Sequence, residues 1–261
     1  MTASTTRGNF IKKSRHTVLP IVFWLGVWQL ASMLVKQELF LASPWVTCKT
    51  LLGLLGQAAF WRSILLSTTR IMSGFFLAVA VAALLAVAAS FSHWVRRLLS
   101  PLMAIIKSVP VASFVILVII WAGSHNLSIV ISFLMVLPIL YSNLLAGIMA
   151  CDHELLEMSK VFRISWPKQV FYLYLPQLMP FVLSACSLAL GLAWKSGIAA
   201  EVIGIADGSM GELLYESKIY LNTAELFAVT VVIVAMSFLF EKLFLWLLRI
   251  AQQQIERRYG S

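Results

Sequence analysis

The sequence predicts an all-α membrane protein with six transmembrane helices and a structured polar loop between the fourth and the fifth. Of its 261 residues, 61% are hydrophobic and only 12% are charged, which is about half the charged fraction of a soluble domain. The apolar residues form runs long enough to cross a bilayer, which takes about 20 residues per helix. Helices are favoured because lipid offers no hydrogen-bond partners to an exposed backbone, and the sequence lacks the short alternating strands of a membrane barrel.

Six apolar segments define the predicted spans. They cover residues 17–36, 63–91, 98–122, 127–150, 177–204 and 223–248. The first segment is longer than the apolar core of a secretory signal and is followed by no small-residue cleavage site, so we expect it to be retained. We therefore predict one transmembrane domain over residues 17–250, with short tails at 1–16 and 251–261.

The distribution of Lys and Arg residues predicts the orientation. Cytoplasmic loops of membrane proteins carry an excess of these residues. One set of loops holds Arg7, Lys12, Lys13, Arg15, Arg96, Arg97, Lys160, Arg163, Lys168, Arg249, Arg257 and Arg258. The opposite set holds Lys49, Arg62 and Lys218, with Lys36 at the border. Both termini and the 151–176 loop are therefore predicted to be cytoplasmic.

Two segments, 37–62 and 205–222, are then external. Ser43-Pro44 is typical of a helix start, and we expect a short helix lying at the membrane surface with Trp45 and Trp61 as anchors. In the second segment, the glycines around Asp207 indicate a turn-rich connection. It is not a phosphate-binding loop, because no Gly-Lys-Ser/Thr follows.

The polar residues exclude several classes of site. The three cysteines and four histidines are dispersed along the chain, whereas a metal centre needs clustered ligands at fixed spacing, so we predict no metal and no cofactor. The formal net charge of +9 is attributed to basic loops. Nucleic acid binding is not expected, because no basic patch carries interleaved aromatic residues.

The 151–176 loop contains the strongest local signals for helix starts. Asp152 is placed as an N-cap, and Glu154 and Glu157 suit the positive end of the helix dipole, which predicts a short helix over about 153–163. Ser165 is placed as a second N-cap. Two short helices are therefore expected to meet at the membrane surface.

The same loop carries the motif that identifies a family. It reads Glu157-Met158-Ser159, then Arg163, then Leu173 and Leu175-Pro176. In spacing it resembles the signature loop of bacterial ABC importer permeases, which is Glu-Ala-Ala, three residues, Gly, nine residues, Ile, one residue, Leu-Pro. The largest departure is Arg163, because the family glycine permits a tight turn that often needs positive φ. We therefore expect the bend to be made differently here, with Arg163 adding a charge at the partner surface.

Further segments extend the resemblance over most of the chain from residue 41 onward. They are Leu41-Ala42-Ser43-Pro44, Ser67-Thr68-Thr69-Arg70-Ile71, Lys107-Ser108-Val109-Pro110, Gly191-Leu192-Ala193-Trp194-Lys195 and Ala200-Glu201-Val202-Ile203-Gly204. Together they resemble the subgroup that imports nitrate, sulfonates, taurine or bicarbonate, which also includes permeases for thiamine precursors.

The resemblance implies a transport subunit of a bacterial inner membrane that is not itself an enzyme. It implies that the loop helix docks on cytoplasmic ABC ATPase subunits, that a second permease chain completes the pathway as a homodimer, and that an external solute-binding protein delivers a small anionic solute. The implied coupling residues are Glu154, Glu157, Met158, Ser159, Arg163, Leu173, Leu175 and Pro176.

Charged residues at membrane depth are candidates for the pathway, because burying them in lipid is costly. Lys195 and Glu201, with Trp194 beside them, lie in the fifth span. Being six residues apart, about 240° around a helix, the two charges do not share a face. Lys195 either attracts an anionic solute or extends to the external interface, and both interpretations stay open.

Two other charged positions have simpler interpretations. Arg70 is interpreted as an interface anchor or a contact between helices. Lys107 lies three residues before Pro110, which is expected to break the third span.

Two other classes of protein fit the sequence less well. A secondary transporter or channel predicts inverted repeats or a set of polar residues at the membrane midplane. A membrane-embedded enzyme needs a convergent nucleophile, base or metal set. The sequence shows neither pattern.

Overall fold

The computed structural model describes residues 5–37 and 39–259, with side chains over 19–37 and 39–254. Throughout these residues the regular structure is helical. The helices are α1 (Thr5–Val35), α2 (Pro44–Leu55), α3 (Ala58–Phe91), α4 (His93–Ser108), α5 (Val111–Ala122), α6 (Leu127–Met149), α7 (His153–Val161), α8 (Trp166–Gln169), a π-helical turn (Val170–Tyr174), α9 (Leu175–Gly204), α10 (Met210–Ile219) and α11 (Thr223–Tyr259). The side chains of the basic residues predicted at 1–16 and 257–258 lie outside the described residues.

The long helices confirm a multi-pass membrane protein. Within the described residues, four stretches are long and apolar enough to cross a bilayer: Ala58–Phe91, Leu127–Met149, Trp166–Gly204 and Thr223–Gln254. α4 and α5 make a fifth if counted as one span bent by 101°. The apolar part of α1, Leu19–Val35, is shorter, so a total of six spans stays a prediction.

The break between α4 and α5 confirms the expected effect of Pro110. Val109 ends α4 in an extended conformation, and Pro110 stands immediately before α5. Proline lacks a backbone N–H and disfavours a helical conformation in the residue before it. The bend of 101° is therefore encoded locally.

The chain divides into two compact units, of which the first comprises Met1–Trp61 and Leu213–Val231. In it the end of α1 holds the segment that follows, because Trp28 Nε1 donates to the Ala42 carbonyl at 3.1 Å. The predicted start of α2 is confirmed, since Ser43 Oγ accepts from Val46 N–H at 3.3 Å. α2 ends at Leu55, so Trp61 lies in α3 and not in the surface helix.

The second unit comprises Arg62–Glu212 and Val232–Ser261, and its centre is the antiparallel pair α6 and α9. Ser132 Oγ donates to the Ala193 carbonyl at 3.1 Å, and close packing of this kind is typical of small residues between membrane helices. Buried apolar side chains from α5, α6 and α9 pack beside this pair: Val115, Val118, Leu127, Ile131 and Ala200.

The interpretation of 205–222 as a turn-rich connection is wrong over ten of its residues. Met210–Ile219 form α10. Ser209 Oγ accepts the N–H of Glu212 at 3.0 Å, and the Glu212 carboxylate accepts the N–H of Gly208. This Ser-x-x-Glu arrangement resembles a capping box, a helix-start signal that the glycine spacing concealed.

Candidate functional site

The helix α7 begins where the sequence predicted. Asp152 Oδ1 accepts the N–H groups of Glu154 and Leu155 at 2.9 and 3.4 Å, which confirms the N-cap. Glu154 lies in the first turn, where a negative charge is stabilised by the helix dipole. The start of α7 is thus fixed by residues of its own segment.

The end of α7 overturns the expectation for Arg163. Arg163 takes a φ of 51°, which is the left-handed conformation expected of the family glycine. The N–H of Ile164 bonds to the Ser159 carbonyl at 2.9 Å, and the N–H of Arg163 bonds to the Lys160 carbonyl at 3.0 Å. These two bonds form the Schellman motif that ends many helices. The bend is therefore made in the usual way, because the two bonds hold the arginine in a conformation it disfavours.

The side chains of α7 differ in burial. Ser159 is fully buried and its Oγ donates to the Leu156 carbonyl at 2.7 Å, so it is unavailable to a partner. Four apolar side chains of α7 and its C-cap are exposed: Leu155 (38% exposed), Met158 (46%), Val161 (79%) and Phe162 (71%). We call these four residues the α7 apolar face. Val161 and Phe162 were not among the predicted coupling residues. They follow Met158 by three and four residues, a spacing that places side chains on one face of a helix.

Charged groups lie beside this face. Glu157 is exposed and lies 3.3 Å from His153 Nδ1 through one of its carboxylate oxygens. Glu154 and Arg163 are exposed as well. The surface that α7 presents is therefore apolar with a charged border.

Two glutamines hold α7 to the helices that follow it. Gln177 Oε1, in the first turn of α9, accepts the N–H of Asp152 at 2.8 Å. Gln169 Nε2 donates to the Ile164 carbonyl at 2.9 Å. The start of α7 is thus bonded directly to the start of α9, and the sequence motif contained no sign of the contact made by Gln177.

The later residues of the motif lie in a continuous helical path from α8 through the π-turn into α9. Leu173, Leu175 and Pro176 are half-buried along it. Pro176 lies in the first turn of α9, directly after the π-helical turn, so its missing N–H falls where the helical hydrogen-bond pattern changes. We call the end of the second unit that carries α7 the loop end, and the opposite end the far end.

An apolar pocket opens at the loop end. It is lined by residues from α3, α6, α8, the π-turn and α9, namely Val87, Ser90, Phe91, Ile148, Trp166, Val170, Tyr174, Leu175 and Leu178. α8 and the π-helical turn therefore lie beside the ends of α3 and α6 around a mostly apolar pocket.

The three candidate pathway residues differ in exposure. Lys195 is exposed on the same side of α9 as Ser184 and Leu188. Trp194 is 1% exposed, and its ring lies 5.7 Å from that of Phe240 in α11. Glu201 is fully buried. Within one chain, Lys195 alone among the three lies on an open surface, and the pathway role of all three stays a prediction.

Glu201 is the centre of a polar cluster at the far end. Its carboxylate oxygens accept from Ser67 Oγ and Ser128 Oγ at 2.7 Å each and from the N–H of Gly211 at 3.3 Å. Ser67 Oγ also accepts the N–H of Met210 at 2.9 Å. This Glu201 cluster joins α3, α6 and α9 to the first turn of α10, whose unpaired N–H groups favour a negative charge.

Gly211 makes the close approach of α10 possible. A β-carbon at this position would come within 2.6 Å of the Glu201 carbonyl carbon and the Val202 nitrogen. Backbone atoms cannot give way as a flexible side chain would. The position therefore requires glycine for packing.

These features define a class: a multi-pass helical membrane protein with a capped, partly apolar helix presented at one end of its spans. The protein family described as the binding-protein-dependent transport system inner membrane component matches residues 74–257. The chain belongs to this family, as an ABC importer permease of the nitrate, sulfonate, taurine and bicarbonate subgroup. Members of the family are transport subunits and not enzymes.

Individual relatives agree with the subgroup. The chain is 27% identical to the taurine transport system permease protein TauC of Escherichia coli over 82% of its own length and 80% of that protein. It is 27% identical to a putative aliphatic sulfonates transport permease protein, SsuC of Bacillus subtilis, over 81% and 76%. It is 23% identical to the nitrate import permease protein NrtB of Synechococcus elongatus over 76% and 74%.

Proposed function

We propose that this chain is the transmembrane permease subunit of an ATP-driven importer for a small anionic solute. It lies in the inner membrane of a bacterium with both termini in the cytoplasm, pairs with a second copy of itself, and receives solute from an external binding protein. Energy comes from a cytoplasmic ABC ATPase that docks on α7. The observation that carries the proposal is the α7 apolar face, presented at the loop end by a helix fixed at both of its termini.

The contacts of α7 suit a coupling element. A capped start, a Schellman end and the Gln177 contact with α9 hold the helix as one body. The four apolar side chains of the α7 apolar face are exposed among charged residues, where exposed apolar area indicates a protein interface. A nucleotide-dependent movement of the docked ATPase would therefore be passed to α9.

The depth of Lys195 supports an anionic solute. It lies nine residues before the end of α9 at Gly204, which is about 13 Å along the helix axis. A lysine so far from the helix end is costly on a face that contacts lipid. An aqueous pathway between two copies of the chain removes this cost and places the positive charge where an anion passes. The relatives are named for the transport of taurine, sulfonates and nitrate, which agrees with an anionic solute.

Substitutions in the α7 apolar face test the docking role. Leu155→Gln with Met158→Gln keeps helix propensity but removes apolar area from the exposed face. We expect the ATPase to be lost from the complex purified in mild detergent, with unchanged amounts of the chain in the membrane. The matched control is Trp94→Gln, which removes an exposed aromatic side chain (80% exposed) outside the loop. If the double variant retains the ATPase, the proposal that the ATPase docks on α7 is wrong.

A second substitution tests the role of Lys195. In vesicles containing the whole importer, Lys195→Ala should lower the rate of anion uptake, while Lys195→Arg should keep most of it. If both variants transport like the original chain, Lys195 only extends to the interface.

A further inference from the structure

Arg70 is a buried cation with unused hydrogen-bond donors. It lies in α3 near the far end and is 7% exposed. Its Nη2 lies 2.9 Å from His125 Nδ1, whereas its buried Nη1 has no hydrogen-bond partner. A guanidinium stays charged and has no acceptor atom, so His125 Nδ1 must accept in this pair. An unpaired donor on a buried charge is costly, and an acceptor that binds to it would remove that cost.

Neighbouring acceptors do not use the free donors. Among the described residues, no hydrogen bond joins Arg70 to the Glu201 side chain. The Glu201 carboxylate is occupied by donors from Ser67, Ser128 and Gly211. Glu201 therefore leaves Nη1 unpaired.

His125 covers the arginine from an exposed position. It lies between α5 and α6 in a connection of four residues, 123–126, which begins at Gly123 with a φ of 70°. The His125 side chain is exposed, so its movement needs no rearrangement of the core. Displacing its ring would open the Arg70 guanidinium.

We propose that Arg70 is a recognition point for an oxyanion at the far end, closed in this structure by His125. A guanidinium fits groups with two or three coplanar oxygens, such as nitrate, the face of a sulfonate, or bicarbonate. This proposal rests on the proposed function, in which the far end is the external mouth of the pathway.

Thermal unfolding of the purified full chain in a maltoside detergent tests the proposal. The probes are sodium methanesulfonate and sodium nitrate, each compared with sodium chloride at equal ionic strength. We expect the unfolding midpoint to rise and saturate with either oxyanion, and the rise to be lost in Arg70→Lys. The matched control, Arg62→Lys, changes an exposed arginine of the same helix and should keep the rise. In His125→Ala the rise should half-saturate at a lower concentration, because the closing contact is gone.

Several outcomes would overturn the proposal. One is the absence of any oxyanion-specific rise in the original chain, and another is an equal rise in Arg70→Lys. A lipid phosphate could supply the same chemistry: if phosphatidylglycerol added to the detergent raises the midpoint through Arg70 and abolishes the effect of methanesulfonate, the site binds lipid and not solute. Should Arg70→Lys be too unstable to purify, His125→Ala decides, and unchanged half-saturation there contradicts the closed site.

The result also separates this proposal from the proposed function. ATP-driven uptake that persists without oxyanion binding by the permease would refute the Arg70 site alone. Oxyanion binding in a chain that never associates with an ATPase would refute the importer and leave the site.

Discussion

Replacing Arg163 with glycine should stabilise the end of α7. The left-handed conformation costs a residue with a β-carbon about 1–2 kcal/mol, and Arg163 adopts it at a φ of 51°. Glycine removes this cost but gains freedom in the unfolded chain, which returns about 0.4–1 kcal/mol. The difference leaves about 1 kcal/mol in favour of Arg163→Gly, or about a fivefold lower opening constant for the turn.

Hydrogen exchange at the turn provides the assay. The N–H groups of residues 163 and 164 bond to the carbonyls of Lys160 and Ser159 at 3.0 and 2.9 Å, so they exchange when the turn opens. In the chain purified in mild detergent, their exchange, corrected for intrinsic rates, should slow about fivefold in Arg163→Gly. Arg163→Ala keeps the β-carbon and removes the guanidinium, so exchange should stay as in the original chain.

Two results would refute this reasoning. Unchanged or faster exchange in Arg163→Gly would mean that the backbone conformation of Arg163 carries no cost. Equal slowing in Arg163→Ala would assign the cost to the charge and not to the backbone.

Three further substitutions test the cap and the Glu201 cluster. Glu201→Ala should lower the free energy of unfolding by about 1–3 kcal/mol, because the buried donors of Ser67, Ser128 and Gly211 lose their acceptor; denaturant titration in mixed micelles measures it, and a loss below about 0.5 kcal/mol contradicts the cluster. Gly211→Ala should speed hydrogen exchange in α10, because the added β-carbon would lie too close to the Glu201 backbone and push α10 away from α9. Unchanged exchange would contradict the need for glycine at this position. Asp152→Ala should weaken α7 by about 1 kcal/mol, seen as faster exchange at Glu154, whereas Asp152→Asn should retain most protection.

Features encoded by neighbouring residues were predictable. Asp152 begins α7 because its carboxylate reaches the N–H groups two and three residues ahead, and Pro110 breaks a helix through its own covalent structure. The long apolar spans follow in the same way from composition. In each case the cause lies within a few residues of the effect.

Features that depend on distant contacts were not predictable. The Glu201 cluster brings together residues 67, 128, 201 and 210–211. No spacing in the sequence predicts that these residues are in contact. α10 was not predicted because glycine is usually a sign of a turn, whereas Gly211 lies in α10 and allows its close packing. For Arg163 the sequence offered the intrinsic preference of the residue, whereas two backbone hydrogen bonds of the Schellman motif decided its conformation.

The Glu201 cluster also sets an order of events during synthesis. Ser67 and Ser128 enter the membrane long before Glu201 is made. The carboxylate gains its last donor only when Gly211 follows, and Met210 then donates to Ser67. Since a chain inserts from its N-terminus, a fragment that stops short of residue 210 leaves the carboxylate incompletely paired at membrane depth. We expect such a fragment to hold its first spans less firmly than the full chain, and proteolysis of chains that end before residue 210 would show it.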